Sequence, residues 1–187
     1  MNHDQKGKGI DMKYELKTLD VADADRLYDF YQTIPAVENG AGNKAYGLTK
    51  EQFIEWIKQE ERWSRGLDLR ADWVAGTTYV LYVDGAPVGR SNLRHYLNAA
   101  LEQDGGHIGL PVAPQYRGHG YSKILLRETL KHAKEKGINP VLVFHFADNI
   151  PACKMSESVG GKLVEERFHE KHGRFIRKYT FDTSKLD

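Results

Sequence analysis

A glycine-punctuated turn constrains this chain more than any other feature. Val112-Ala-Pro-Gln-Tyr-Arg-Gly-His-Gly-Tyr-Ser122 follows a short apolar run, Ile108 to Val112, and precedes a helical face made by Ile124, Leu125, Leu126, Leu130 and Ala133. Gly118 and Gly120 let the main chain approach a ligand closely. The helix that opens after them presents unpaired N–H groups and the positive end of its dipole. A strand, such a turn and a helix, in that order, suit the diphosphate of a cofactor. Two other phosphate motifs are missing: no G-x-x-x-x-G-K-[ST] follows Gly118, and the turn lacks the full G-x-G-x-x-G of a dinucleotide site.

The segments on either side supply strands and helices for an α/β or α+β sheet. Tyr14 to Leu19 alternates weakly as an opening strand, and Val21, Leu27, Tyr28 and Tyr31 recur at helical spacing after the capping candidate Asp20. Pro35 ends that helix. Thr49-Lys-Glu-Gln52 is a capping box ahead of Phe53, Ile54, Trp56 and Ile57. Between these helices, Ala36 to Gly47 reads as a long glycine-rich loop of the functional kind. Thr77 to Val83 and Pro87 to Leu97 are strands flanking the hairpin signal Asp84-Gly85. Pro140 to Phe144 is a buried β-branched strand, Asp148-Asn-Ile-Pro151 starts a short helix that Gly160-Gly161 closes, and Lys162 to Phe168 with Arg174 to Phe181 form a terminal hairpin. No internal repeat or interdomain linker interrupts this order, so 12–187 reads as one domain behind a polar leader, Met1 to Asp11.

Composition excludes several classes. A net charge of +1 argues against nucleic acid or an anionic membrane as partner. A single cysteine, Cys153, excludes an intrachain disulfide framework and a cysteine zinc cluster, and fits the cytoplasm. No His-Glu-x-x-His pair marks a metal site, so no metal is expected. The leader has no apolar core of the kind a secretory signal requires, and no apolar run is long enough to span a bilayer.

Gln115-Tyr-Arg-Gly-His-Gly120 resembles the Q/R-x-x-G-x-G/A signature of the GNAT superfamily of acyl-CoA-dependent N-acyltransferases, with Val112 and Pro114 where that family often has V-x-P. Asn149-Ile-Pro-Ala-Cys-Lys-Met-Ser-Glu-Ser-Val-Gly-Gly161 is similar to the family's N-x-x-A-x-x-[LM]-Y-x-x-x-G-F segment. Glu38-Asn-Gly40, Arg94-His-Tyr-Leu-Asn98 and Gly105-Gly-His-Ile-Gly109 look like a little-characterised branch of predicted acetyltransferases. The resemblance implies a mixed, mostly antiparallel central sheet with splayed central strands and helices on both faces. It also implies acetyl-CoA as co-substrate and a small-molecule or peptide amine as acceptor, and leaves a homodimer open.

Transferred residue by residue, the resemblance places the pyrophosphate on the amides of Arg117, Gly118, His119, Gly120, Tyr121 and Ser122. It places pantetheine along the backbone of Leu110 and Val112, with Asn149 as a further contact or as a helix cap. The family's tyrosine acid falls on Ser156, whose hydroxyl is a poor acid in water but can donate a hydrogen bond to sulfur. His107 and Glu38 are the candidate bases. A hydrogen-bonded structural histidine and a solvated loop carboxylate are their respective alternatives. His95 and His145 could face either the cleft or solvent, and Cys153 reads as buried and inert. Acceptor specificity is expected from the Ala36 to Gly47 loop, the segment around Trp73 and the terminal hairpin. These residues describe an N-acetyltransferase acting through a ternary complex. The missing tyrosine keeps open a catalytically weak acyl-CoA sensor or scaffold.

Overall fold

The computed structural model describes residues 12–186, so the expected leader over 1–11 lies outside them. The chain runs β1 (Tyr14–Thr18), α1 (Ala24–Thr33), β2 (Val37–Glu38), β3 (Ala41–Gly42), α2 (Lys50–Ser64), β4 (Gly76–Val83) and β5 (Ala86–Arg94). It continues through α3 (Ala99–Gln103), β6 (Ile108–Gly109), α4 (Tyr121–Glu135), β7 (Val141–Phe146), α5 (Ile150–Ser158), β8 (Lys162–His169) and β9 (Arg174–Phe181). Among the described residues two larger antiparallel sheets result, ordered β1-β4-β5-β6 and β7-β9-β8, beside the two-stranded β2-β3.

Alternation along β4 divides the core into two layers. Val80 and Tyr82 face α1 and α2, meeting Leu27, Phe30, Tyr31, Phe53 and Ile57. Tyr79, Leu81 and Val83 point the other way, where α4 buries Leu125, Leu126, Leu130 and Ala133 completely. Helices therefore cover both faces. Local chemistry sets their ends: Thr49 and Gln52 close the capping box of α2, and Asp20 caps a 3-10 turn, Val21–Asp23, that leads into α1.

Four expectations change. The apolar run Ile108 to Val112 forms a strand only over Ile108–Gly109, because Pro111 has no N–H to give a ladder; Val112 returns to β5 through a lone bridge to Gly89. The long loop Ala36 to Gly47 contains the hairpin β2-β3, turned by Asn39 and Gly40 at φ +48° and +82°. The strand expected from Pro87 to Leu97 stops at Arg94, and α3, capped by the Asn98 side chain, follows where no element was expected.

The two sheets separate between β6 and β7, where Gly106 and Val143 form an isolated bridge. Just before β6 the chains are pinned together. The His107 amide donates to the Leu142 carbonyl at 2.8 Å, and the Leu142 amide donates back to His107 Nδ1 at 2.9 Å. Gly106 makes this approach possible: at φ +63°, a Cβ there would lie 2.5 Å from the Leu142 carbonyl oxygen. From that pin the strands diverge, and the gap they leave is the mouth of a cleft.

Candidate active site

One cleft of about 1110 Å³ runs from the glycine turn past β6 and β7 to the loops around Lys44 and Trp73. At one end, Gly118 and Gly120 take φ +81° and +80°, and a Cβ on either would meet only open space. No side chain caps α4. Among the described residues, the amides of Gly118, His119, Gly120, Tyr121 and Ser122 find no acceptor. Five N–H donors at the positive end of a fifteen-residue helix make a cradle fitted to a phosphate group.

Arg117 points away from this cradle. Its Nη1 and Nη2 donate to Glu38 Oε1 and Oε2 at 3.0 and 2.5 Å, and its Nε donates to the Val112 carbonyl at 3.1 Å. Glu38, expected as a base, is thus engaged in tying the β2-β3 hairpin to the phosphate turn. His119 sits at the exposed rim, stacked on Tyr121 with ring centroids 5.5 Å apart.

The middle of the cleft exposes backbone. The amides of Leu110 and Val112 have no acceptor among the described residues. Both lie where the chain has turned away from β7, so their donors remain available to an extended ligand. Asn149 lines the same stretch; it precedes α5, yet its side chain makes no capping bond, so of its two alternative roles the cap is not formed.

The candidate acid and base also move. Ser156 is completely buried and does not line the cleft; its Oγ lies 2.7 Å from His145 Nε2. His145, on β7, does line it. Burial pushes the His145 imidazole down to about 4, so the ring is neutral near pH 7. His107 is 7% exposed and does not line the cleft, because its ring serves as the pin described above. Burial first, and the Arg94 charge second, push it down to about 4 as well. Cys153 is buried, with Sγ directed to the Phe146 carbonyl at 3.6 Å.

At the far end the Ala36 to Gly47 loop, the Trp73 segment and the terminal hairpin contribute Lys44, Trp73 and His172, beside Glu60 and Arg90, which the sequence did not single out. Glu60 accepts from Thr78 Oγ1 at 2.7 Å, and burial raises its carboxyl above the ordinary range. Lys44 lies over the Trp73 ring at 3.6 Å and over Trp63 at 5.0 Å. Arg90, Asn92 and Arg94 also line this end; they alternate along β5 and so share one face, a period-2 polar pattern visible in the sequence. Asp104, His169 and His172 bring one carboxylate and two imidazoles together, although no local spacing announced them. Here both imidazoles take the same carboxylate oxygen, at 3.0 and 3.2 Å.

The sequence model of the Acetyltransferase (GNAT) family matches residues 44–160, well over half of the chain. The chain belongs to the GNAT family of acetyltransferases. Solved GNAT enzymes share its fold at low identity. The ribosomal-protein-S5-alanine acetyltransferase of Vibrio fischeri superposes with a TM-score of 0.69 at 12% identity, over 93% of this chain and 95% of that one. A ribosomal L7/L12 alpha-N-protein acetyltransferase in complex with coenzyme A gives 0.69 at 13%, over 90% and 93%. A spermidine N-acetyltransferase chimera from Vibrio cholerae and hSSAT gives 0.64 at 13%, over 92% and 97%. Family membership supports acyl-CoA-dependent acetyl transfer to an amine in general.

Proposed function

We propose that this GNAT protein transfers an acetyl group from acetyl-CoA directly to a primary amine within a ternary complex. The continuity of the cleft carries the reading: it joins an uncapped helix N-terminus, the unpaired amides of Leu110 and Val112, and a neutral imidazole at His145. Acetyl-CoA supplies an acyl group activated as a thioester. The amides from Gly118 to Ser122 would hold its pyrophosphate, and Leu110, Val112 and Asn149 would align its pantetheine arm. A backbone N–H on this stretch would also stabilise the oxyanion formed when the amine attacks the thioester carbon.

The amine arrives mostly as an ammonium ion of pKa near ~10.4 and must lose a proton before attack. His145 is neutral and faces the cleft, so it can hydrogen-bond the amine and relay its proton to solvent; held at about 4, the ring does not keep that proton. His145 Nε2 and Ser156 Oγ lie 2.7 Å apart; in the tautomer in which the serine oxygen accepts the Nε2 proton, Nδ1 is the ring atom left to take the substrate proton. Ser156 is then a positioning residue acting through His145, and His107 and Glu38 serve the scaffold.

Saturable thiol release from acetyl-CoA in the presence of polyamines, amino acids, aminoglycosides or peptides tests the reaction. Tight acetyl-CoA binding without turnover would instead favour the sensor. His145→Gln should lower kcat by about 10²-fold while leaving the acetyl-CoA Kd unchanged. An unaltered kcat would remove His145 from the proton path.

A further inference from the structure

The acceptor end of the cleft holds three cations with no carboxylate in contact. Arg90 is 8% exposed. Its Nη2 donates to the Gly42 carbonyl, and its Nε is buried with no acceptor among the described residues. Arg94 uses only Nη1, which donates to the carbonyls of Gly105 at 3.3 Å and Gly106 at 2.8 Å. The Lys44 ammonium rests on the Trp73 and Trp63 rings. Among the described residues, none of these three forms a salt bridge.

That arrangement contrasts with the open surface, where Arg62, Arg65, Arg174 and Arg177 each take a carboxylate. Screened surface charges need partners least, and a buried guanidinium needs one most. The nearby acids act only through space, Glu60 on Lys44 and Arg90 and Asp104 on Arg94, and none of them forms a contact ion pair with these cations. Glu60 is bonded to the Thr78 hydroxyl, and the Asp104 carboxylate is held by His169 and His172. The fork of an arginine matches carboxylate or phosphate oxygens, and two such forks alternate on one face of β5.

The geometry points to an anion-binding subsite at Arg90, Arg94 and Lys44 that holds a carboxylate or phosphate group of the acceptor, so the acceptor is an amine that also bears an anion. This rests on the amine-acetylation reading above. Glu60, in the same cleft, offers the opposite charge to the ammonium end of such a molecule. A polyamine, with no anionic group, would leave the two arginines unpaired and is selected against.

Matched acceptors test the subsite: lysine against cadaverine for a carboxylate, and O-phosphoethanolamine against ethanolamine for a phosphate. In thiol-release kinetics with acetyl-CoA, the anionic member of at least one pair should have a kcat/KM about 100-fold higher. Which pair shows the difference identifies the anion. Arg94→Gln, which keeps an N–H for the Gly106 carbonyl, should collapse that ratio towards 1 with the acetyl-CoA Kd within twofold. Equal or inverted preference in both pairs overturns the subsite, as does a ratio untouched by Arg94→Gln. If none of the four amines turns over, calorimetric titration of each into CoA-saturated protein decides: selective binding of an anionic member sustains the subsite, and its absence overturns it. Saturating CoA removes the cofactor's own phosphates as the source of any signal. Loss of acetyl-CoA binding itself would count against the acetyl-transfer reading instead.

Discussion

Replacing His107 by alanine distinguishes a structural pin from a catalytic base. The ring is 7% exposed, and its Nδ1 takes the Leu142 amide at 2.9 Å. Alanine keeps the backbone bond from the His107 amide to the Leu142 carbonyl but removes the acceptor for the amide that answers it. An orphaned N–H in that position costs about 1–3 kcal/mol. The space left by the ring adds about 2 kcal/mol more in lost contacts. At about 2–4 °C per kcal/mol for a domain of this size, the expected fall in Tm is on the order of 10 °C. His107→Asn, which offers an oxygen near the Nδ1 position, should recover about half of it.

A pH series adds a second, independent sign. The folded imidazole sits at about 4 and the unfolded one near ~6.5. Between those values the unfolded chain binds the proton that the folded chain refuses. The pin's contribution is therefore complete above the unfolded value, falls as pH drops through the interval, and is gone below about 4. The gap is worth about 3 kcal/mol. Urea midpoints of wild type and His107→Asn from pH 4 to 8 would read the difference, and His145 contributes equally to both. An unchanged Tm with abolished turnover in His107→Ala would refute this account and make His107 the proton carrier.

Three further outcomes are expected. Gly120→Val forces a β-branched residue to φ +80° in the phosphate cradle, costing about 1–2 kcal/mol of stability. It should also weaken acetyl-CoA binding by at least about 100-fold in calorimetry, and a Kd within threefold would disprove the cradle. Glu38→Gln releases Arg117 from a half-exposed ion pair worth under about 1 kcal/mol, so Tm should hold while the acetyl-CoA KM rises a few-fold. A collapse of kcat at constant KM would return Glu38 to the role of base. Because the His145 ring is held at about 4, kcat/KM should rise from pH 6 to 9 with the deprotonation of the amine and show no inflection near ~6.5. An inflection there that vanishes in His145→Gln would show that the ring titrates normally.

Periodic features were the legible part of the fold. The apolar face of α4, the capping box of α2 and the Asp84-Gly85 hairpin each depend on neighbours within four residues, and each formed where the pattern placed it. Failures came where two signals competed. Asn39-Gly40 is as strong a hairpin signal as Asp84-Gly85, but its flanking strands are only two residues long, so alternation had no length over which to appear. The break in β6 was written in Pro111, whose missing N–H outweighs the apolar run around it.

Chemistry at the site was less legible because its decisive contacts cross elements. Glu38 and Arg117 are seventy-nine positions apart, and only the folded chain turns a loop carboxylate into a clamp on the phosphate turn. Ser156 and His145 are eleven apart, on α5 and β7. Each was visible alone, the serine as a poor acid and the histidine as one of eight. Buried behind His145, the serine cannot meet the departing thiolate, yet it can fix which imidazole nitrogen carries the proton. The loss of a tyrosine at this position therefore does not by itself imply a silent enzyme. On the proposed reading the group that handles the proton lies on β7 instead of α5, and a neutral histidine facing the cleft can relay the amine's proton, which a tyrosine acting as an acid would not do.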